Sequence, residues 1–219
     1  MDGISSGIVF GWEPYNGSAT PSATVLADRS RFGTNGAITG GTWARQASGL
    51  WALDFNPATP SYVEATCPQC NFTSEDFSIV VKVKIDDLTS DRIVFSRGHS
   101  SLGGYTLVAD QYNRILFSTS QSGADQVSLA VDSIVSGSWF TIGISRSGAS
   151  VGIYSNGIDV TSTLASHINP ATYTDSGLVG VYYDKTGRPL DGQISFLRVY
   201  NRALSAGEHL QLHNELVKL

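Results

Sequence analysis

The sequence predicts an all-β fold, an antiparallel sandwich or jelly roll, with one short helix at the C-terminal end. Two observations predict it. Short apolar segments recur at roughly 8–12-residue spacing and are bounded by Gly, Pro, Asn and Ser, as in sandwiches and barrels. The chain also has 23 Gly and many Ser and Thr but five Glu, two of them in the last twelve residues, which suits strands and turns with helix confined to the end.

The elements follow in order. "GIVFGW" (7–12) reads as an opening strand. A polar Ser/Thr/Pro stretch follows, and then "ADRSRFGTNGAITGG" (27–41), full of turn residues. "WALDFN" (51–56) and "YVEAT" (62–66) are short strands. "DFSIVVKVKIDD" (76–87) alternates most clearly. Phe77, Ile79, Val81, Val83 and Ile85 point one way, and Ser78, Lys82, Lys84 and Asp86 the other. "RIVFSRG" (92–98), "YTLVAD" (105–110), "RILFSTS" (114–120), "QVSLAVD" (126–132) and "SWFTIGISR" (138–146) continue the series. In "SVGIYSNGIDVT" (150–161), Asn156-Gly157 signals a type I′ hairpin. "GLVGVYY" (177–183) and "GQISFLRVYN" (192–201) complete the strands. No linker, composition break or repeat divides them, so residues 1–219 read as a single domain.

"RVYNRALSAGEHLQLH" (198–213) carries the helix. Ser205 and Glu208 form a capping box, which gives Glu208 a structural task. His209 and His213, four residues apart, have the spacing of a zinc pair. Winding the helix sets both in the middle of an arc of Ala203, Ala206, Leu210, Leu212, Leu216 and Val217, facing the sheet. They read as packed, hydrogen-bonded seam residues.

Bulk properties narrow the function. The chain has 219 residues, 15% charged, and a formal charge of -5 with no basic run, which argues against nucleic acid and anionic membrane partners. No apolar run is long enough to span a membrane. "MDGISSGIVFGW" lacks the basic region of a secretory signal. The two cysteines, Cys67 and Cys70 in "CPQC", are half a zinc site without a second pair, and no βαβ setting supports a redox dithiol. They read as a local disulfide clipping a loop, with free thiols as the alternative.

Several segments together resemble the concanavalin A-like lectin/glucanase superfamily, in its laminin G-like jelly-roll branch. They are "DRSRFGTNGAITGGTW" with "GLWALDFNPATPSYVEA", then "SWFTIGISRSGASVGIYSNGIDV", then "LDGQISFLRVYNRALSAGEHLQL". The resemblance implies two curved antiparallel sheets packed face to face, with the terminal strands close together and a helix after the last strand. It also implies a calcium site where the early Asp-x-Ser turn meets the closing strand. Asp28 matches the acidic position, and backbone carbonyls around Thr34 would contribute. Ser195 stands where a carboxylate is expected, so either no calcium or a weak site follows.

No catalytic residue is assigned. No strand bears the Glu-x-Asp or Glu-x-Glu set of the superfamily's glycosidases, and no nucleophile elbow, phosphate loop or His-Glu-x-x-His occurs. Sugars are held by aromatic faces with planar polar side chains beside them. Arg97, His99, Tyr105, Tyr112, Tyr183, Asp184 and Arg188 are the candidates for that chemistry. The reading is a non-catalytic lectin-like domain at an extracellular, cell or virion surface, with carbohydrate as its partner. A structural attachment domain that partners a virion or surface protein is the alternative, and a glycoside hydrolase the second.

Overall fold

Alternation at Phe77–Ile85 builds the centre of the molecule. Its five apolar residues of one parity are fully buried in the main core. The computed structural model describes residues 4–59, 61–100 and 102–218. Its strands are β1 (Ile8–Trp12), β2 (Val25–Leu26), β3 (Gly36–Thr39), β4 (Thr42–Arg45), β5 (Trp51–Phe55), β6 (Tyr62–Ala65), β7 (Phe77–Ile85) and β8 (Arg92–His99). They continue with β9 (Gly103–Ala109), β10 (Ile115–Gln121), β11 (Ala124–Ala130), β12 (Trp139–Ser147), β13 (Ser150–Ser155), β14 (Ile158–Asp159), β15 (Gly177–Val179) and β16 (Gly192–Tyr200). Helix α1 (Ala206–Val217) ends the fold.

The strands form two antiparallel sheets. The first runs β14-β13-β12-β7-β16-β5-β4, with β1 also paired to β16, so the first and last strands are neighbours. The second runs β11-β10-β9-β8-β15-β6-β3-β2. One apolar core fills the space between them, contributed by Phe10, Leu53, Phe77, Phe95, Tyr105, Phe117 and Ile144 among others. This is the jelly-roll sandwich that the strand pattern predicts.

Three segments differ from the sequence reading, the first being β4, a four-residue strand that the sequence reading leaves unassigned. The turn-rich stretch at 27–41 contains β3, and β2 lies just before it; Gly and Thr hide strands this short. "GLVGVYY" stops being strand at Val179. Gly180 takes φ +84°, and a Cβ there would lie 2.5 Å from the Phe55 ring. The chain turns outward at that point and forms the loop described below.

The outer face of the first sheet carries α1. The capping box is present, with Ser205 N donating to Glu208 Oε2 at 2.8 Å and Glu208 N to Ser205 Oγ at 3.3 Å. The buried arc of the helix is narrower than the sequence suggests. His209, Leu212 and Leu216 are buried, whereas Leu210 and Val217 are exposed. Beneath them a small second core includes Val80, Phe196, Tyr200 and Leu204, which is why Val80 breaks the polar parity of β7. A seam of hydroxyls seats the helix. Ser145 Oγ lies 2.8 Å from His209 Nε2, Thr141 Oγ1 lies 2.9 Å from His213 Nδ1, and Lys82 Nζ donates to the last-turn carbonyl of Leu216.

At one end of the sandwich, polar groups plug the gap between sheets. Arg146 is fully buried and donates to the Glu75 carbonyl and to Asn169 Oδ1. His167 is bracketed by Thr119 Oγ1 and Ser128 Oγ, each at 2.8 Å. Nearby, Cys67 and Cys70 are joined in a disulfide around the short 3-10 turn Pro68–Cys70, and both are buried.

Candidate functional site

The second sheet leaves its outer face open beside β6, β15 and β8. Register decides which side chains stand there. Glu64, Leu178 and Ser96 are cross-strand partners and share the outer face, while Val63, Val179 and Phe95 of the opposite parity fill the core. Two irregular segments wall this face. Tyr173–Ser176 lies on one side, and the loop after Gly180, with Tyr183 and Lys185, lies on the other. Together they enclose a cleft of about 370 Å³.

The loop wall is braced. Asp184 Oδ1 accepts from the amides of Thr186 and Gly187 at 3.0 and 2.6 Å and closes a turn. Burial alone would raise the Asp184 pKa, but these amides outweigh it and leave it lowered. Tyr183 meets the His99 ring edge-on with centroids 4.0 Å apart, and His99 also stacks on Tyr182. The Tyr182 hydroxyl accepts from the Ser100 amide at 3.0 Å. The Tyr183 ring is therefore held before any ligand arrives, which lowers the ordering cost of binding.

The floor and opposite wall are polar. Lys185 Nζ donates to Glu64 Oε2 at 2.8 Å, and that bond raises the lysine's pKa. Tyr173 is hydrogen-bonded to Asp175; desolvation first and that bond second push its phenol up to about 12. Counting Glu64, Asp175 and Lys185, the cleft carries a formal charge of −1 − 1 + 1 = −1. It offers two tyrosine faces, hydroxyls from Ser96, Thr174 and Ser176, two carboxylates and one ammonium.

The sequence-predicted residues divide sharply. Tyr183 lines the cleft, and His99 and Asp184 brace it. Arg188 stands behind that wall, over the Tyr182 ring at 5.5 Å and 3.8 Å from Asp91. Arg97 is buried next to the cleft, where Nη2 donates to the Tyr173 carbonyl, and burial lowers its pKa. Two candidates are corrected. Tyr105 points into the core, 1% exposed, packed on Phe72, Phe77, Phe95 and Phe117, with its hydroxyl donating to the Cys70 carbonyl. Its parity on β9 matches Leu107 and Ala109, which face inward. Tyr112 lies at the turn between β9 and β10, exposed, with Arg114 over its ring, and it shares no wall with the cleft. Glu64, Tyr173 and Asp175 were not singled out from sequence. Tyr173 and Asp175 sit in the aperiodic "ATYTDSG", where aromatic and acidic residues between strands were the available signal.

Of the expected calcium ligands, Asp28 and Thr34 meet, but Ser195 does not join them. The Asp28 carboxylate accepts from the amides of Gly11, Ser30 and Thr34 and from the Ser30 hydroxyl, at 3.0, 2.9, 2.8 and 2.6 Å. Thr34 Oγ1 accepts from Gln69. Ser195 lies elsewhere, at the bulge of β16, lining a separate cleft with Gln46, Lys82 and Trp139. Asp191, the carboxylate nearest to Ser195 in the sequence, is 4.0 Å from Arg92. A hard cation needs six or more oxygens, and binding here would displace four hydrogen bonds. The residues do not fit the ion, and Asp28 works as a loop cap. We expect the melting temperature to move by less than about 1 °C between EDTA and millimolar calcium. A gain equivalent to about 3–4 kcal/mol, the linkage effect of a tight ligand in large excess, would reveal a site built from other residues.

A family model described as the concanavalin A-like lectin/glucanases superfamily (Laminin_G_3) matches residues 58–208. Among curated proteins there is no significant match. Similar solved structures include the binding domain of Paraclostridial Mosquitocidal Protein 1, with a TM-score of 0.74 and 15% identity over 97% of this chain and 53% of that one. Botulinum neurotoxin type C, whose cell entry depends on interaction with two ganglioside molecules, gives 0.70 and 13% over 99% and 53%. The binding domain of botulinum neurotoxin DC in complex with SialylT gives 0.69 and 12% over 97% and 52%. The chain thus spans about half the length of these structures, 52–53%, and the likeness is one of fold.

Proposed function

Because the chain belongs to the concanavalin A-like lectin/glucanases superfamily, we propose that it is a non-catalytic lectin-like domain that holds a glycan in the cleft between Tyr173 and Tyr183. The observation that carries this reading is the cleft's composition. Two tyrosines flank hydroxyl and carboxylate groups on the outer face of the second sheet, the chemistry that stacks on sugar C–H patches and satisfies sugar hydroxyls. The toxin structures named above, two of them tied to gangliosides or a sialyl ligand, support a cell-surface glycan as the class of partner. An extracellular or virion-surface location follows from that partner.

The cleft is poorly arranged for glycoside hydrolysis. That reaction needs one carboxyl to give a proton and a second to act as nucleophile or base. Glu64 is tied to Lys185 and Asp175 to Tyr173, so both carboxylates of the cleft already have partners.

A glycan array probed with the whole chain tests the proposal, followed by titration of the best ligand. Tyr183→Ala should weaken binding at least tenfold, about 1.4 kcal/mol, with the fold unchanged by circular dichroism. Equal affinity in wild type and variant would move the site elsewhere. An array with no bound glycan would favour the attachment-domain reading.

A further inference from the structure

A second pair of clefts lies at the edge where β1 meets β16, and it shares no lining residue with the first. The larger, of about 810 Å³, is lined by Arg29, Arg31 and Arg198 against the single acid Glu13. The smaller, of about 320 Å³, is lined by Trp12, Tyr15, Pro21, Val25 and Trp43, and it also shares Glu13 and Arg29 with the larger one. An aromatic hollow thus opens directly onto a basic one.

The charges are not internally spent. Glu13 pairs with Arg198, whose Nε donates to it at 2.7 Å. Arg29 and Arg31 are exposed, and among the described residues neither guanidinium has an ion pair or hydrogen bond; Arg31 only lies over the Phe32 ring. The cleft walls therefore carry +3 − 1 = +2 within a chain of formal charge -5. Their loop is fixed: Arg29 N donates to the Gly11 carbonyl, and the Asp28 carboxylate pins Ser30 and Thr34. Two uncompensated guanidinium groups are thus held on a rigid backbone. Trp12, 2% exposed and lining the aromatic hollow, has an indole N–H without a partner among the described residues. A buried donor of this kind calls for an acceptor.

We propose that these joined clefts are a second binding site, for a glycan bearing sulfate or carboxylate groups. Arg29 and Arg31 take the oxyanions through forked N–H pairs, and Tyr15 and Trp43 present the surface on which the sugar ring packs. The two clefts differ in charge, −1 at the first and +2 here. This inference does not rest on the function proposed for the first cleft.

Calorimetry on the whole chain tests it with three oligosaccharides of equal length: a sulfated one, a uronic acid-containing one and an uncharged one. Wild type should bind at least one acidic oligosaccharide at least tenfold more tightly than the uncharged one, and added salt should weaken it. The Arg29→Gln/Arg31→Gln variant should lose at least tenfold for the acidic oligosaccharide, whereas Tyr112→Ala, at a turn that lines none of these clefts, should keep wild-type affinity for it. A thermal melt within about 2 °C of wild type shows that the double variant is folded. No acidic binding by wild type at millimolar ligand overturns the proposal, as does undiminished binding by the double variant. Vesicles containing phosphatidylserine form the last arm. Arginine-dependent binding to them, with none to the oligosaccharides, would make the site a lipid-surface contact and overturn the glycan assignment.

Discussion

Unfolding free energy should fall steeply between pH 6.5 and pH 4, because two imidazoles are buried without charge. Burial pushes both His167 and His209 down from 6.5 to about 4; Arg146 reinforces the shift at His167, while Glu208 and Asp159 oppose it at His209. Above pH 6.5 each ring is neutral in both states and contributes no pH dependence. Below it the unfolded chain takes up protons that the folded chain refuses, so stability declines until the folded rings also titrate near pH 4. Each ring accounts for about 3 kcal/mol at full effect, on the scale of about 1.4 kcal/mol per pKa unit. Together they approach the whole stability of a typical domain, about 5–15 kcal/mol. His213 is lowered by burial as well and adds in the same direction. Glu208 acts in a different window. Its carboxyl, held down to about 2 first by Arg202, stabilises above pH 4.5 and loses that effect as pH falls towards 2. Urea titrations at pH 7.5, 5.5 and 4.5 check this, with His209→Gln expected to remove about half the slope. A flat stability from pH 6.5 to 4.5 would refute it.

The difference between what was legible in the sequence and what was not has a physical basis. β7 could be read because one parity meets a continuous core, and the helix start because Ser205 and Glu208 are three residues apart and need no tertiary information. The first cleft could not. Its salt bridge joins Glu64 to Lys185 across 121 residues, and Glu64 by itself is one polar residue in a short strand. Tyr173 and Asp175 lie where no period exists to orient a side chain. Tyr105 and Tyr183 look alike as residue types, and strand parity separates them. Tyr105 falls in step with Leu107 and Ala109 and goes inward, whereas Tyr183 follows the turn at Gly180 and escapes the sheet. The helix histidines were placed by the arc alone; their partners, Ser145 and Thr141, came only from the packing of β12.

The Gly143→Ala substitution should cost about 3–5 kcal/mol, although it adds one methyl group. Gly143 lies on β12 beneath the helix, and a Cβ there would sit 2.3 Å from His209 Nδ1, 2.6 Å from its Cε1 and 3.2 Å from the Tyr154 Cβ. The imidazole has nowhere to go. It is 2% exposed, stacked on Tyr154 with centroids 4.0 Å apart, and bonded to Ser145. Overpacking costs about 1–3 kcal/mol, and breaking a buried hydrogen bond adds about 1–3 kcal/mol. For a chain of this size that amounts to a fall of roughly 10 °C in melting temperature. The collision is with one side chain, so the double variant Gly143→Ala/His209→Ala should be less destabilised than the sum of the single variants, by at least about 1 kcal/mol. A single variant that melts within about 2 °C of wild type would show that His209 can swing clear and that the helix is not pinned at this point. A strictly additive double variant would place the strain on the backbone of β12 rather than on the imidazole.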